Sequence, residues 1–248
     1  MKKTDFIGIG FVVLFVLLVL FFPFNYGATG STLKNFIQGS GDAVALHWTG
    51  FIWSKLDNFG NVTNEFPYIM GFLKFALLAT FGEMLKHRIK TGSWAVSCLP
   101  LRVLVWGFYG IVMTIAFSLF AKGTAAMMSG NLWFGSNPAL GSSFGNNLIF
   151  ALTTSVFMNM IFAYPMMLSH EWFGQVIEKR KFIGGAEFFG SCDAKVWGSF
   201  IPKTILYFWV PAHTVTFLLP AEFRVLVGAA LSVALGFILT IKASKKAE

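Results

Sequence analysis

Six long apolar stretches divide this chain, at about 6–24, 66–85, 101–120, 148–168, 200–219 and 223–241. A helix rises 1.5 Å per residue, so roughly 20 residues cross a hydrocarbon core about 30 Å thick. No water is available there to bond an exposed backbone. Segments of this length and apolarity therefore close their own hydrogen bonds as helices. The fold expected is an all-α integral membrane protein, a bundle of about six transmembrane helices.

Charge between the stretches gives their direction. Lys2 and Lys3 precede the first. Lys86, Arg88, Lys90 and Arg102 lie between the second and third. Lys179, Arg180, Lys181, Lys195 and Lys203 lie between the fourth and the body of the fifth, and Lys242, Lys245 and Lys246 follow the sixth. The opposite side carries only Lys34, Lys55, Lys122 and Arg224. Lys and Arg concentrate on the cytoplasmic side, which puts both termini there. The formal charge of +8 would suggest nucleic acid in a soluble domain. With 56% hydrophobic and 12% charged residues, it instead reads as cytoplasmic flanking charge that also meets anionic headgroups, and no nucleic-acid partner is expected.

The first stretch follows a Lys-Lys start but is too long for a signal-peptide core. It reads as a retained signal-anchor, since Asn25-Tyr26-Gly27-Ala28 is a weak cleavage site. A bacterial inner membrane is the expected location. Cys98 and Cys192 fall in cytoplasmic loops and are expected to be unpaired thiols. Neither they nor His170-Glu171, taken with His87 and Glu83, have the spacing of a metal site, and no cofactor is implied. No catalytic motif is present, so an enzyme is not expected.

This is expected to be a single membrane domain, 1–248. The outer segment 25–65 is too long for a plain connector. Within it, Leu46, Trp48, Phe51, Ile52 and Trp53 fall at helical spacings over Ala43 to Leu56. They predict a short helix lying along the outer interface. The Gly-, Ser- and Asn-rich stretch 122–147 predicts an irregular loop. Residues 170–197 should continue the fourth span and become a loop around Gly184-Gly185. In the sixth span Gly228, Ser232 and Gly236 recur every four residues, and small residues on one face let another helix approach closely. A hinge or pore lining is the functional reading, and tight packing the structural one. A homo-oligomer is compatible with either.

Lys74 is the least expected residue. It lies eight residues into the second span, about 12 Å deep. A charge there costs at least about 2.5–3.5 kcal/mol, so it should face a partner or a wet recess, not lipid. Glu83 is half a turn out of phase with it. Asn159 in the fourth span sits at similar depth. Lys74 is either an anion-attracting step or a structural lysine bonded to carbonyls. Nearer the cytoplasm, Glu83, Lys86, His87 and Arg102 form a candidate inner polar cluster, a gate or a structural ion-pair network. His213, Thr214 and Thr216 follow Pro211, which frees a backbone carbonyl and disturbs its helix. The pore or solute candidates are thus Lys74, Asn159, His213 and Thr216.

Several of these residues resemble a known pattern. In "FPYIMGFLKFALLATFGEMLKH", Pro67, Gly82 and Glu83 match in spacing, with Glu83 in place of aspartate and His87 in place of glutamine. Arg102 and Gly110 match in the third span. In "FWVPAHTVTFLLPAEFRVL", Trp209, Phe217, Pro220 and Arg224 match, with Pro211 one residue late and the interval from Phe217 to Pro220 one residue short. His213 stands at a glutamine position and Thr216 at an asparagine position. The chain resembles a divergent, bacterial-type member of the 22-kDa peroxisomal membrane protein (Mpv-seventeen) family over 66–241, about two thirds of its length. The resemblance implies channel-like passage of small solutes. The expectation is therefore a channel or transporter for small solutes, anions among them. A non-transporting scaffold or assembly factor is the alternative, and a membrane-embedded enzyme the third reading.

Overall fold

The computed structural model describes residues 8, 10, 12–15, 56, 58–130, 132 and 144–244, the last ten by backbone alone. Among them all regular structure is helical. Helix α1 is Pro67–Thr91, α2 is Leu99–Ser129 and α3 is Phe144–Lys179. Helix α4 is Gly185–Ser191, α5 runs over 196–218, and α6 is Ala221–Ser244. Helices α1, α2 and α3 are each long and apolar enough to cross a membrane. Residues 58–65 form a further short helix that leads into α1. The signal-anchor expected over 6–24 lies outside the described residues except at 8, 10 and 12–15, which are helical. The interfacial helix over Ala43 to Leu56 lies outside them except at Leu56.

Local chemistry sets the helix ends. Pro67 opens α1 at a position where its missing N–H is not needed. Gly92 closes α1 in the left-handed conformation, φ 77°, and its N–H bonds Arg88 O at 2.8 Å. One expectation is corrected and one refined. The stretch 122–147 is not wholly irregular: α2 continues through Lys122 to Ser129, because its Ala- and Met-rich run favours helix, and α3 already begins at Phe144. The expected loop is present at 180–184: it opens at Arg180, with φ 52°, and ends at Gly184, the extended N-cap of α4.

Three wide, π-helical turns interrupt α3 and α5, at Asn159–Ala163, Val196–Phe200 and Ile205–Trp209. Each ends two residues before a proline: Pro165, Pro202 and Pro211. A proline ring collides with the carbonyl four residues back. Those carbonyls belong to Ile161, Gly198 and Tyr207, the middle residue of each wide turn. Widening the turn relieves the collision without breaking the helix.

Two compact units are formed. The first comprises the described residues up to Leu99, Trp106–Ile111 of α2, and the chain from Pro220 onward. In it α6 packs on α1, and a Cβ placed on Gly82 would stand 3.1 Å from Val233 Cα and 3.4 Å from the Ser232 carbonyl carbon. A Cβ on Gly110 would fall on the Gly71 carbonyl oxygen, and one on Gly107 on the Phe72 ring. At Gly110 only glycine permits the backbone approach, while at Gly107 the neighbour is a side-chain ring and at Gly82 the contact is tight. Phe59, Val62, Met70 and Phe223 form its core, with Leu73 and Leu226 against them. The second unit comprises Pro100–Val105 and Val112–Leu219. In it α5 packs along α3, and Phe117 of α2 lies against Phe217, ring centroids 5.1 Å apart. At the α3–α4 turn, Lys179 and Lys181 both bond Glu187, at 3.0 and 3.1 Å, and hold its carboxyl below the usual range.

Candidate functional site

In the first unit Lys74 is fully buried. Its Nζ donates to Thr63 Oγ1 at 2.8 Å and to Glu222 O at 3.2 Å, and lies 4.7 Å from the Phe59 ring centroid. Thr63 Oγ1 in turn donates to Phe59 O at 2.8 Å. A bend makes this possible. Along an unbroken helix eleven residues rise about 16 Å, beyond a lysine's reach. Phe66 precedes a proline and leaves the helical region, at φ −123° and ψ 60°, so 58–65 fold back toward Lys74. Two hydrogen bonds from a charged group at about 1.5–3 kcal/mol each, plus a desolvated cation–π contact of about 2, exceed the minimum insertion cost of about 2.5–3.5.

The inner cluster residues occupy both units. Glu83 Oε2 accepts from Trp106 Nε1 at 2.8 Å, in the first. His87 Nδ1 donates to Ser93 O at 2.7 Å, and Thr91 Oγ1 donates to His87 O at 2.8 Å, so His87 closes the end of α1. Lys86 is exposed. Arg102 Nη2 meets Glu178 Oε1 at 3.2 Å in the second unit, with the Glu178 side chain 64% exposed. An ion pair that open to water contributes about 0–1 kcal/mol.

The second unit holds a continuous buried polar seam between α3 and α5. Ser155 Oγ donates to Val210 O at 2.7 Å. Asn159 Nδ2 donates to Ser155 O at 2.8 Å and approaches Ser155 Oγ at 3.2 Å. His213 Nδ1 lies 3.1 Å from Asn159 Nδ2 and 3.3 Å from Asn159 Oδ1. The Trp209 ring stacks on His213 at 5.2 Å, and the Phe117 ring meets it edge-on at 5.5 Å. Ser155, Asn159 and His213 are all buried. The wide turns at Asn159–Ala163 and Ile205–Trp209 pack against one another beside this seam. Trp209 Nε1 and His213 Nε2 are buried with no hydrogen-bond partner.

Thr216 is buried one turn beyond His213, but its hydroxyl is used by Ala212 O at 2.9 Å. Pro220 O accepts from Phe223 N at 3.1 Å and turns the chain into α6, where Arg224 is half-buried. Gly228 is buried on α6, Ser232 Oγ bonds Ala229 O at 2.8 Å, and Gly236 continues the helix.

Sequence reasoning placed Lys74, Asn159 and His213 at depth but did not find Thr63, Glu222, Ser155 or Glu178 as their partners and that of Arg102. Ser155 could have been found, because it lies four residues before Asn159 on the same helical face. Thr63 could not, because its approach depends on the bend at Phe66. Comparison of the chain with protein-family models, with curated proteins and with solved structures finds no match.

Proposed function

We propose that this is a multi-pass inner-membrane protein of about six spans, with both termini cytoplasmic, that carries small polar solutes. The observation behind this reading is the polar seam Ser155–Asn159–His213 beside two proline-widened turns. Irregular helix and buried polar groups at membrane depth are tolerated where protein or a wet cavity satisfies them, and transporters use such interruptions for binding. The resemblance of 66–241 to the peroxisomal membrane protein family points the same way. Lys74 does not add an anion step to this reading, because its ammonium group is held by Thr63, Glu222 O and Phe59. The solutes favoured are therefore small and uncharged.

A scaffold is the second reading, favoured by the glycine contacts Gly110–Gly71 and Gly82–Val233, which suit a rigid packed unit. Flux of glycerol and urea into proteoliposomes separates the two. The solute reading expects protein-dependent flux that Asn159→Leu lowers at least tenfold in folded protein. Absence of flux from correctly folded wild type favours the scaffold.

A further inference from the structure

The hydrogen-bond seam fixes more than its own geometry. Ser155 O can only accept, so the 2.8 Å contact identifies Asn159 Nδ2 as the nitrogen of that amide. Val210 O can only accept, so the Ser155 hydroxyl proton is committed to it. Ser155 Oγ then has a lone pair for the second Asn159 Nδ2 hydrogen, at 3.2 Å. His213 Nδ1 lies 3.1 Å from Asn159 Nδ2 and 3.3 Å from Oδ1; were it to accept from Nδ2, the buried Oδ1 would have no donor, whereas with both amide hydrogens given to Ser155 it can donate to Oδ1. For a neutral ring, this arrangement satisfies every group in the seam. It puts the proton on His213 Nδ1 and leaves a lone pair on Nε2.

Two buried atoms then remain, and they are complementary. Trp209 Nε1–H can only donate, and His213 Nε2 can only accept. The two residues are four apart on α5, and their rings stack with centroids 5.2 Å apart. One oxygen atom taking one hydrogen bond and giving another, at about 2.9 Å each, joins two nitrogens up to about 5.8 Å apart. Phe117, edge-on to His213 and packed on Phe217, lines the surroundings with apolar surface, and His213 is only 4% exposed.

We propose that Trp209 and His213 bind one small neutral molecule through a hydroxyl group, which accepts from Trp209 Nε1–H and donates to His213 Nε2. Water and a short-chain alcohol or polyol share this chemistry. A fully deprotonated anion such as chloride lacks the proton that Nε2 needs, and a cation such as ammonium lacks the acceptor that the indole needs. The inference deepens the solute reading above and rests on it for the alcohol arm.

The test is solid-state NMR on the full chain in bilayers, with 15N-labelled histidine and tryptophan. His213 is expected to show a protonated Nδ1 and a lone-pair-type Nε2. Magnetisation from mobile hydroxyl protons should reach the Trp209 indole N–H. His213→Phe should abolish that transfer while the other indole signals keep their shifts, and Trp209→Phe should abolish transfer to His213. Saturable shifts of the Trp209 signal on adding deuterated ethanol or glycerol identify an alcohol as the occupant, and unchanged shifts with transfer retained identify water. Either result supports the site. A proton on Nε2, an imidazolium, or no transfer to the Trp209 N–H overturns it. The spectra read occupancy and not flux. A filled site in a protein without flux sinks only the transport reading, and an empty one in a conducting protein sinks only this inference.

Discussion

Lys74 shows how a residue's partners decide between two roles that its position leaves open. Depth alone allows an anion-attracting step or a structural lysine, and the contacts to Thr63, Glu222 O and Phe59 describe the second. Lys74→Met is therefore expected to leave the anion-to-cation ratio unchanged in any conducting preparation, read from reversal potentials. Thr63→Val should lower stability by about 1–3 kcal/mol, because it leaves a buried ammonium short of an acceptor. In a Lys74→Met background the same change should cost much less, since the stranded charge is gone. Denaturant unfolding in detergent reads both, and equal losses in the two backgrounds would show that the pair does not interact. Cys192 lies outside the long apolar helices. Burial pushes its thiol up, and the Glu171 carboxylate adds to that. A raised value means less thiolate near neutral pH. Alkylation by iodoacetamide at pH 8 should be slower than for an unstructured cysteine peptide, and Glu171→Gln should speed it.

Among the elements, helix existence was legible and helix shape was not. Apolar length announces α1, α2 and α3, because a bilayer selects it directly. The end of α2 moved most, since it continues as helix beyond its apolar part to Ser129, whereas the continuation of α3 to Lys179 is what the sequence expects. Pro211 was readable as a disturbance, but its form as a wide turn shared with Pro165 and Pro202 was not. A lone proline signals a lost donor and a collision, and only packing decides between a kink, a break and a widened turn. Replacing a mid-helix proline by alanine ordinarily favours a helix by about 3 kcal/mol. Pro165→Ala is expected to do the reverse. If Asn159–Ala163 tightens by one residue, the helix before it rotates by about 100° and carries Ser155 and Asn159 away from Val210 and His213. A gain in stability with the His213 signals unchanged would show that the wide turn does not depend on its proline. Glycines divide in the same way. Gly110→Ala must push into the Gly71 carbonyl and should cost about 1–3 kcal/mol. Gly174→Ala, in open space on α3, should stabilise by about 0.5–1 kcal/mol.

Across the whole molecule, the sequence speaks through charge placement and the structure through its two units, and neither contains the other. The division at Leu99, within α2 and at Leu219–Pro220 follows contacts between distant segments, which no local pattern encodes. The direction of the helices in a membrane is the opposite case, because it depends on where Lys and Arg stand relative to the apolar stretches. Lys122 is exposed near the end of α2, and Lys181 is exposed just after α3. Charge counting puts Lys122 outside and Lys181 in the cytoplasm. In a background where Cys98 and Cys192 are serine, Lys122→Cys should therefore react with a membrane-impermeant maleimide on intact cells. Lys181→Cys should react only after the membrane is opened. Its loss of one arm of the Glu187 pair is no obstacle, since Lys179 keeps the other at 3.0 Å. The reverse labelling pattern would invert the topology, and labelling of both from outside would mean an even number of crossings between them. That number is the quantity on which the six-span reading turns, since α3 is the crossing that separates the two positions.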